Sequence, residues 1–398
     1  MLKIYRIVFF ICSIFCICLS SLHASQYGPN TLFQAPYESD EYIGNFTGTF
    51  CAGKTDQSYD RSGNVVPFLQ NYGKEDILLG FIDPLTHDDP FKKIGVMDFS
   101  GSVQFECLNL SYYKNIMHHM FLGIGTIVQN LNIYIHESDL QLLQPLTSDE
   151  QRSLELFESK IPKQINTSGI LSTYLETGYN RTYTELKSVH ELQLFLRGAI
   201  LTPQWMEGAD LNLLQYPFTG NMTFGYQVIG TVTAQLTKHM SFGVFGTVNS
   251  FQSKVIDAPY NEHIPNNQLF IDKKIRAQYT PGTVYNGVVY WQLNNFNRNF
   301  TIMAGLSFMY GTPRKIKPLN PNSLYVASEL QTTLRVNATL ESWNLNALFL
   351  ELDYNFLTKD NPQGPCISLF FNTPLSGYHY PKINGIGGEF GLTFNYYI

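Results

Sequence analysis

Residues 221–237 read NMTFGYQVIGTVTAQLT. Met222, Phe224, Tyr226, Val228, Val232, Ala234 and Leu236 fall on one side of an extended chain. Thr223, Gln227, Thr231, Thr233, Gln235 and Thr237 fall on the other. Alternation of period two predicts a strand with one apolar face. Soluble strands run about five or six residues; a strand that crosses a bilayer at a tilt needs about 9–11, and this run is long enough. Its polar face is Thr and Gln rather than Lys and Glu, which suits the inner wall of a membrane barrel better than a sheet in bulk water.

The pattern recurs along the chain. Residues 299–311 set Phe300, Ile302, Ala304, Leu306, Phe308 and Tyr310 on one face. Residues 330–342 set Leu330, Leu334, Val336, Ala338 and Leu340 against Gln331, Thr333, Arg335, Asn337, Thr339 and Glu341. Similar runs lie at 100–113, 119–135, 189–201, 241–251, 284–293, 345–356, 365–371 and 386–398, with a weaker one near 169–178. Charged residues are 15% of the chain and aromatics 14%, whereas a soluble domain carries about 25% charged residues. No run beyond the N-terminal one approaches the roughly 18 apolar residues of a membrane helix. Few charges, many Phe and Tyr, and no spanning helix predict an all-β chain. Its form would be a transmembrane antiparallel β-barrel of about 12 strands (roughly 10–14), closed because lipid satisfies no open edge.

Three segments follow. Lys3 and Arg6, the apolar run Ile7 to Leu19 and the small residue Ala24 have the order of a secretory signal peptide over residues 1–24. Residues 25–98 are rich in turn residues and show no sustained alternation, so they form an N-terminal non-barrel segment, periplasmic or plug-like. Residues 99–398 form the barrel. Short connections at 114–119, 238–240, 294–299 and 342–343 alternate with long ones at 136–168, 202–219, 252–274 and 312–328. In the long connection at 136–168, Ser148 and Gln151 have the spacing of a helix capping box. Counting from residue 99 puts the short turns outside, the reverse of barrel habit; one more strand within 25–98 or 372–385 restores it. Trp291, Trp343, Tyr112 and Tyr113 beside short turns, and Tyr396 and Tyr397, are candidates for an interfacial aromatic girdle.

Without the signal the chain has 24 basic and 32 acidic residues, a net charge of −8. It therefore lacks the basic stripe of a nucleic-acid partner. Outside the signal there are three cysteines, Cys51, Cys107 and Cys366, which make neither a zinc pattern nor a disulfide framework; at most one pair can form.

The last strand, GEFGLTFNYYI at 388–398, places Phe390, Leu392, Phe394, Tyr396 and Ile398 at alternate positions. It resembles the C-terminal insertion signal of Gram-negative outer-membrane β-barrel (porin-like) proteins, except that Ile398 stands where that family has a terminal Phe. The resemblance implies an outer-membrane location, lipid contact and assembly by a barrel-assembly machinery that reads this strand.

With the apolar faces toward lipid, the charges projecting inward are Glu106, Glu191, Arg197, Arg335, Glu341, Glu351, Asp353 and Glu389. Acids outnumber bases, so a pore with this lining would favour cations, unless the charges pair as structural ladders. Phe245, Met303, Met309, Phe349 and Phe370 also point inward and would pack the lumen or line a path for apolar solutes. His136 and Ser138 resemble the His-x-Ser of outer-membrane phospholipases, but Leu131, Ile133 and Ile135 are the lipid-facing set, which turns the pair away from lipid. Asp83, His87, Asp88 and Asp89 read as a polar loop between prolines rather than as metal ligands. The sequons at Asn45, Asn180 and Asn337 reflect the abundance of Asn and Thr. The chain is therefore expected to be a porin-like channel for passive diffusion of small solutes with a mild cation preference, without enzymatic activity, metal or cofactor. The alternatives are a transporter of hydrophobic compounds with an N-terminal hatch, a structural or adhesive barrel and, least favoured, a membrane-embedded hydrolase.

Overall fold

The computed structural model describes residues 43–69, 95–117, 119–142, 163–184, 189–202, 205–207, 224–260, 273–293, 299–319, 342–356 and 365–395, with isolated positions between them. The predicted signal peptide, the 330–342 run, the Asp83–Asp89 loop and residues 396–398 lie outside the described residues.

Twelve antiparallel strands follow one another round a closed barrel. They are β1 (Ile43–Thr55), β2 (Gly95–Met117), β3 (Met120–Leu142), β4 (Gln164–Tyr183), β5 (Glu191–Leu201) and β6 (Gly225–Thr237). Then come β7 (Met240–Phe251), β8 (Val284–Leu293), β9 (Phe300–Gly311), β10 (Trp343–Asn355), β11 (Cys366–Tyr378) and β12 (Asn384–Asn395). Each pairs with its sequence neighbour, and β1 pairs with β12 from Ile43↔Asn395 to Lys54↔Asn384, so the sheet has no edge.

The strand β1 corrects the boundary at residue 99, because the barrel starts inside the segment expected to lie outside it. Its outer face alternates glycine with aromatics (Gly44, Phe46, Gly48, Phe50), so half of the apolar signal is absent. The tertiary structure supplies the missing surface, since the Phe390 ring of β12 covers the lipid side of Gly48. With β1 counted, the turns at 118–119 and 238–239 lie at the end of the barrel that holds Ile43 and Asn395. The strand ends that lead into the long connections, Thr55, Leu142, Leu201, Phe251 and Gly311, lie at the other. This is the usual outer-membrane arrangement.

At the level of the bilayer, apolar side chains of most strands alternate outward as their sequences predict. Exposed Tyr226, Val228 and Leu236 on β6, with Phe224 just before it, and Phe300, Leu306, Phe308 and Tyr310 on β9, are the lipid-facing set. On β10 the outward set is Leu348 and Leu350; on β8 it is Trp291 and Leu293. Ile386, at 62% exposure, stands beside Phe390 and Leu392 on β12.

The strands β2, β3 and β4 have 23, 23 and 20 residues, well beyond the length a bilayer requires. In their long-loop halves the polarity inverts. Val103, Phe105, Leu131, Ile133 and Ile165 are buried inside, while Gln104, Glu106, Asn130, Asn132 and Asn166 occupy the outer face. Above the hydrocarbon the wall meets water outside, so the hydrophobic effect drives its apolar side chains inward. This reverses the lipid-facing assignment of Leu131, Ile133 and Ile135, the last packed against the same inner cluster. The inward partner is the start of the 56–94 connection. Residues 57–67 form a small hairpin, tied to Tyr380–Pro381 beyond β11, and Phe68 and Leu69 bury against Val103, Phe105, Leu131, Ile133 and Ile165. Burying two such side chains contributes about 2 kcal/mol each.

Leu350→Arg on the outer face should destabilise the barrel by about 2–4 kcal/mol in a urea titration followed by heat-modifiable mobility. Asn344→Arg, on the same face at the long-loop end, should change it little. Equal effects of the two would place the membrane band elsewhere on β10.

Candidate functional site: the barrel lumen

The lumen wall is built from the odd-numbered positions of β1, β2, β3, β5 and β10 and the even-numbered positions of β8 and β11, fixed by the pairing registers. An apolar belt runs round it. Tyr113, Phe121, Phe195, Ile229, Phe245, Val288, Tyr290, Met303 and Phe349 form one buried cluster drawn from eight strands. Tyr113 and Phe121 have ring centroids 5.7 Å apart, and Phe121 stacks on Phe195 at 5.7 Å with planes 6° apart.

The aromatics lie along the wall because glycines face them from the neighbouring strand. Gly125 is paired with Tyr174, Gly243 with Tyr290 across β7–β8, Gly305 with Phe349, and Gly387 with Phe370. In each pair a Cβ on the glycine would collide with the aromatic ring. Each ring therefore occupies the volume that a side chain would take, so it spreads along the sheet rather than projecting across the lumen.

On one wall the belt is broken by a charged network. Arg197 on β5 meets Glu176 on β4 with Nη1···Oε2 at 2.7 Å. Its Nη2 donates to Gln227 Oε1 at 3.2 Å, and Gln227 Nε2 donates to Asn249 Oδ1 at 2.7 Å, so the chain of contacts crosses four strands. Glu176 is 1% exposed and Arg197 7%. Beside them the Tyr174 hydroxyl donates to Asn109 Oδ1 at 3.0 Å. The geometry is that of a buried, charge-assisted pair, which holds together only while both partners are present.

On the opposite side, a row of paired residues runs Thr301, Asp353, Ser368, Glu389 and Thr49 across β9, β10, β11, β12 and β1. Thr49 Oγ1 donates to Glu389 Oε2 at 2.8 Å. Glu351 lies two positions along β10 from Asp353, and both are buried. Acids therefore dominate one wall, while the other carries an acid matched by a base.

At the long-loop mouth, Trp343 packs on Tyr380 with centroids 4.7 Å apart, and both join the cluster around Phe68 and Leu69. The turn between β11 and β12 is carried by His379, at φ 49°, whose ring lies 4.3 Å from that of Tyr378. Burial, with the nearby Arg61 adding to it and Asp60 opposing it, pushes the His379 pKa down to about 4.

The structure brings together part of the set expected from the sequence. Glu191, Arg197, Glu351, Asp353 and Glu389 face the lumen, as do the buried Phe245, Met303, Met309, Phe349 and Phe370. Glu106 does not. It pairs with Ala52 on the outer face and accepts hydrogen bonds from Asn130 Nδ2 at 3.2 Å and Gln104 Nε2 at 3.5 Å, in the polarity-inverted part of β2. Arg335 and Glu341, the Phe394 side chain, Tyr396 and Ile398 lie outside the described residues. Trp343 and Tyr113 face inward rather than joining a girdle, whereas Trp291 is outward and exposed, in edge contact with Phe242 at 5.1 Å. His136 stands on the outer face, and its Nε2 is 3.0 Å from the buried Ser102 Oγ. Asn45 and Asn180 are buried, where a glycan has no room. Glu176 went unnoticed in the sequence because a register shift between Ile127 and Val128 of the partner strand reverses the inward parity within β4. Thr167 and Ile165 face inward before it, Tyr174 and Glu176 after it.

No family model matches the sequence, and no curated protein matches it. Among solved structures, an outer-membrane channel from Pseudomonas putida F1 aligns over 92% of this chain and 100% of its own length, with 10% identity and a TM-score of 0.51. That likeness shows the fold, a closed antiparallel β-barrel. The NanC porin (9% identity, 88% of this chain, 100% of its own, TM-score 0.31) and a Pseudomonas aeruginosa FadL homologue (12%, 90%, 91%, 0.32) align more loosely.

Arg197→Met should cost about 3–5 kcal/mol in a urea titration, since it leaves Glu176 buried without its cation. The double variant Arg197→Met/Glu176→Gln should recover most of that loss. If the double variant is no better than the single one, the pair does not hold the wall. The His379 pKa makes a second outcome readable. A histidine whose folded pKa lies near 4, below its unfolded value near 6.5, binds protons more readily in the unfolded state. Its contribution is therefore present above about pH 6.5 and lost as pH falls toward 4. Proteolysis of the long-loop mouth should accelerate between pH 6.5 and 4 in the parent protein. His379→Gln should flatten that dependence.

Proposed function

We propose that this chain is an outer-membrane channel that carries small solutes with an apolar or aromatic portion through a lumen partly closed by its own 57–69 segment. The apolar belt from Tyr113 to Phe349 carries this reading. An aqueous passage for fully hydrated solutes has no use for nine buried apolar and aromatic side chains round its wall, whereas a solute that sheds part of its hydration shell gains from such a surface. The chain moves solutes without a catalytic step, and a barrel-assembly machinery reads its last strand through outward residues that include Phe390 and Leu392.

A second reading, passive diffusion with cation preference, is favoured by the acidic wall of Glu351, Asp353 and Glu389. Planar-bilayer recording separates the two. On the first reading the parent protein gives small, intermittent currents, and replacing residues 57–67 by a short Gly-Ser turn raises conductance several-fold. On the second, steady ohmic current appears at once, and Glu351→Gln/Asp353→Asn lowers its cation preference. Liposome uptake should favour a small aromatic alcohol over a sugar of similar size. Equal rates of entry would overturn the proposed selectivity. The replacement spares β1, whose removal would open the barrel.

A further inference from the structure

Three cysteines follow the predicted signal peptide, and three pairings are possible on paper. We propose that the protein carries one disulfide, Cys51–Cys107, that staples β1 to β2 beneath the segment closing the mouth. Cys51 and Cys107 are directly opposite one another in the antiparallel register of these strands, between Phe50↔Leu108 and Ala52↔Glu106. Directly opposed residues of an antiparallel pair have Cα atoms about 4.5 or 5.5 Å apart, and both values fall within the roughly 4.4–6.8 Å that a disulfide spans. Both side chains point to the lumen and contact each other. Cys51 is buried, and Cys107 packs against the same cluster as Phe68 and Leu69. In this structure both are thiols.

Cys366 is excluded as a partner. It sits on β11 opposite Gly391 of β12, so the whole of β12 separates it from β1. Two strand spacings are about 9.5 Å, beyond the reach of a disulfide without backbone movement. Its Sγ lies instead 3.9 Å from Ser368 Oγ.

The chemistry is thiol–disulfide exchange. One cysteine, as thiolate, attacks a disulfide of the oxidant, either a protein dithiol oxidase of the envelope or oxidised glutathione. The other then attacks the mixed disulfide. The sulfur–sulfur bond forms as the oxidant's breaks, and two protons and two electrons leave with the oxidant as two thiols. Because Cys51 is covered in the folded barrel, the exchange takes place as β1 and β2 pair. The bond closes the loop 52–106, which contains the 57–67 hairpin, and so fixes the base of that connection to the wall. The proposal depends on the outer-membrane reading only for an oxidising compartment.

The test uses the full chain extracted from cell envelopes, denatured in the presence of a maleimide and analysed by peptide mass spectrometry without reductant. The expected result is one labelled thiol per chain, on Cys366, with the Cys51 and Cys107 peptides joined and separating on reduction with a gain of two hydrogens. Cys51→Ser should raise the label to two per chain, and Cys366→Ser should lower it to none. Both readouts are taken on denatured chain, so they stand whether or not a variant assembles. Three labelled thiols in the parent chain, or any link through Cys366, would overturn the staple. A chain missing from the envelope fraction would instead count against the membrane reading; refolding it into detergent with a glutathione redox buffer then decides the disulfide by the same labels.

Discussion

Everything in this molecule depends on the closure of β12 onto β1. In hydrocarbon an unpaired backbone N–H or C=O has no water to bond, and each costs several kcal/mol. The β1–β12 ladder, twelve paired positions from Ile43↔Asn395 to Lys54↔Asn384, removes the two edges that the other eleven pairings leave. Closure also fixes which residues face inward on β1, and with them the positions of Cys51 opposite Cys107 and Thr49 beside Glu389. The lumen is thus a consequence of this pairing rather than of any one strand.

Two solvents shape the wall. Where lipid lies outside, apolar side chains point out and the lumen takes Thr, Asn, Gln and the charged pair. Where β2, β3 and β4 rise past the bilayer, water lies outside and the same alternation runs with its polarity exchanged. The exchange produces an ordinary hydrophobic core in the mouth, with Phe105, Leu131 and Ile133 inside and Phe68 and Leu69 pressed onto them. The closing segment is therefore held by the hydrophobic effect of a soluble domain, at the one level of the barrel where that effect points inward.

The lumen has a similar economy. Glycines opposite Tyr174, Tyr290, Phe349 and Phe370 let large rings lie along the sheet. The belt thereby supplies an apolar surface over polar strands, interrupted by the buried Glu176–Arg197 pair and the Glu389–Thr49 contact. This combination, rather than the sign of the net charge, separates the proposed selectivity from that of an open pore.

Period-two alternation and strand length made the barrel and most of its inward residues legible, because a residue's parity within a regular strand is a local property. The inward orientation of Arg197, Glu351, Asp353 and Glu389 follows from that parity alone. Parity fails where local regularity fails. The glycines of β1 erased half of its outer face, the register shift in β4 hid Glu176, and the rise of β2 out of the membrane turned Glu106 outward although its strand still alternates. Which solvent lies beyond the wall at a given height, which glycine sits under which ring, and which two of three cysteines meet are decided by partners far away in the chain. The sequence by itself determined that a closed membrane barrel forms, since only closure satisfies strands of this length and polarity in lipid. Only the tertiary structure decided what the barrel encloses, because register and height are properties of paired strands and not of any strand alone.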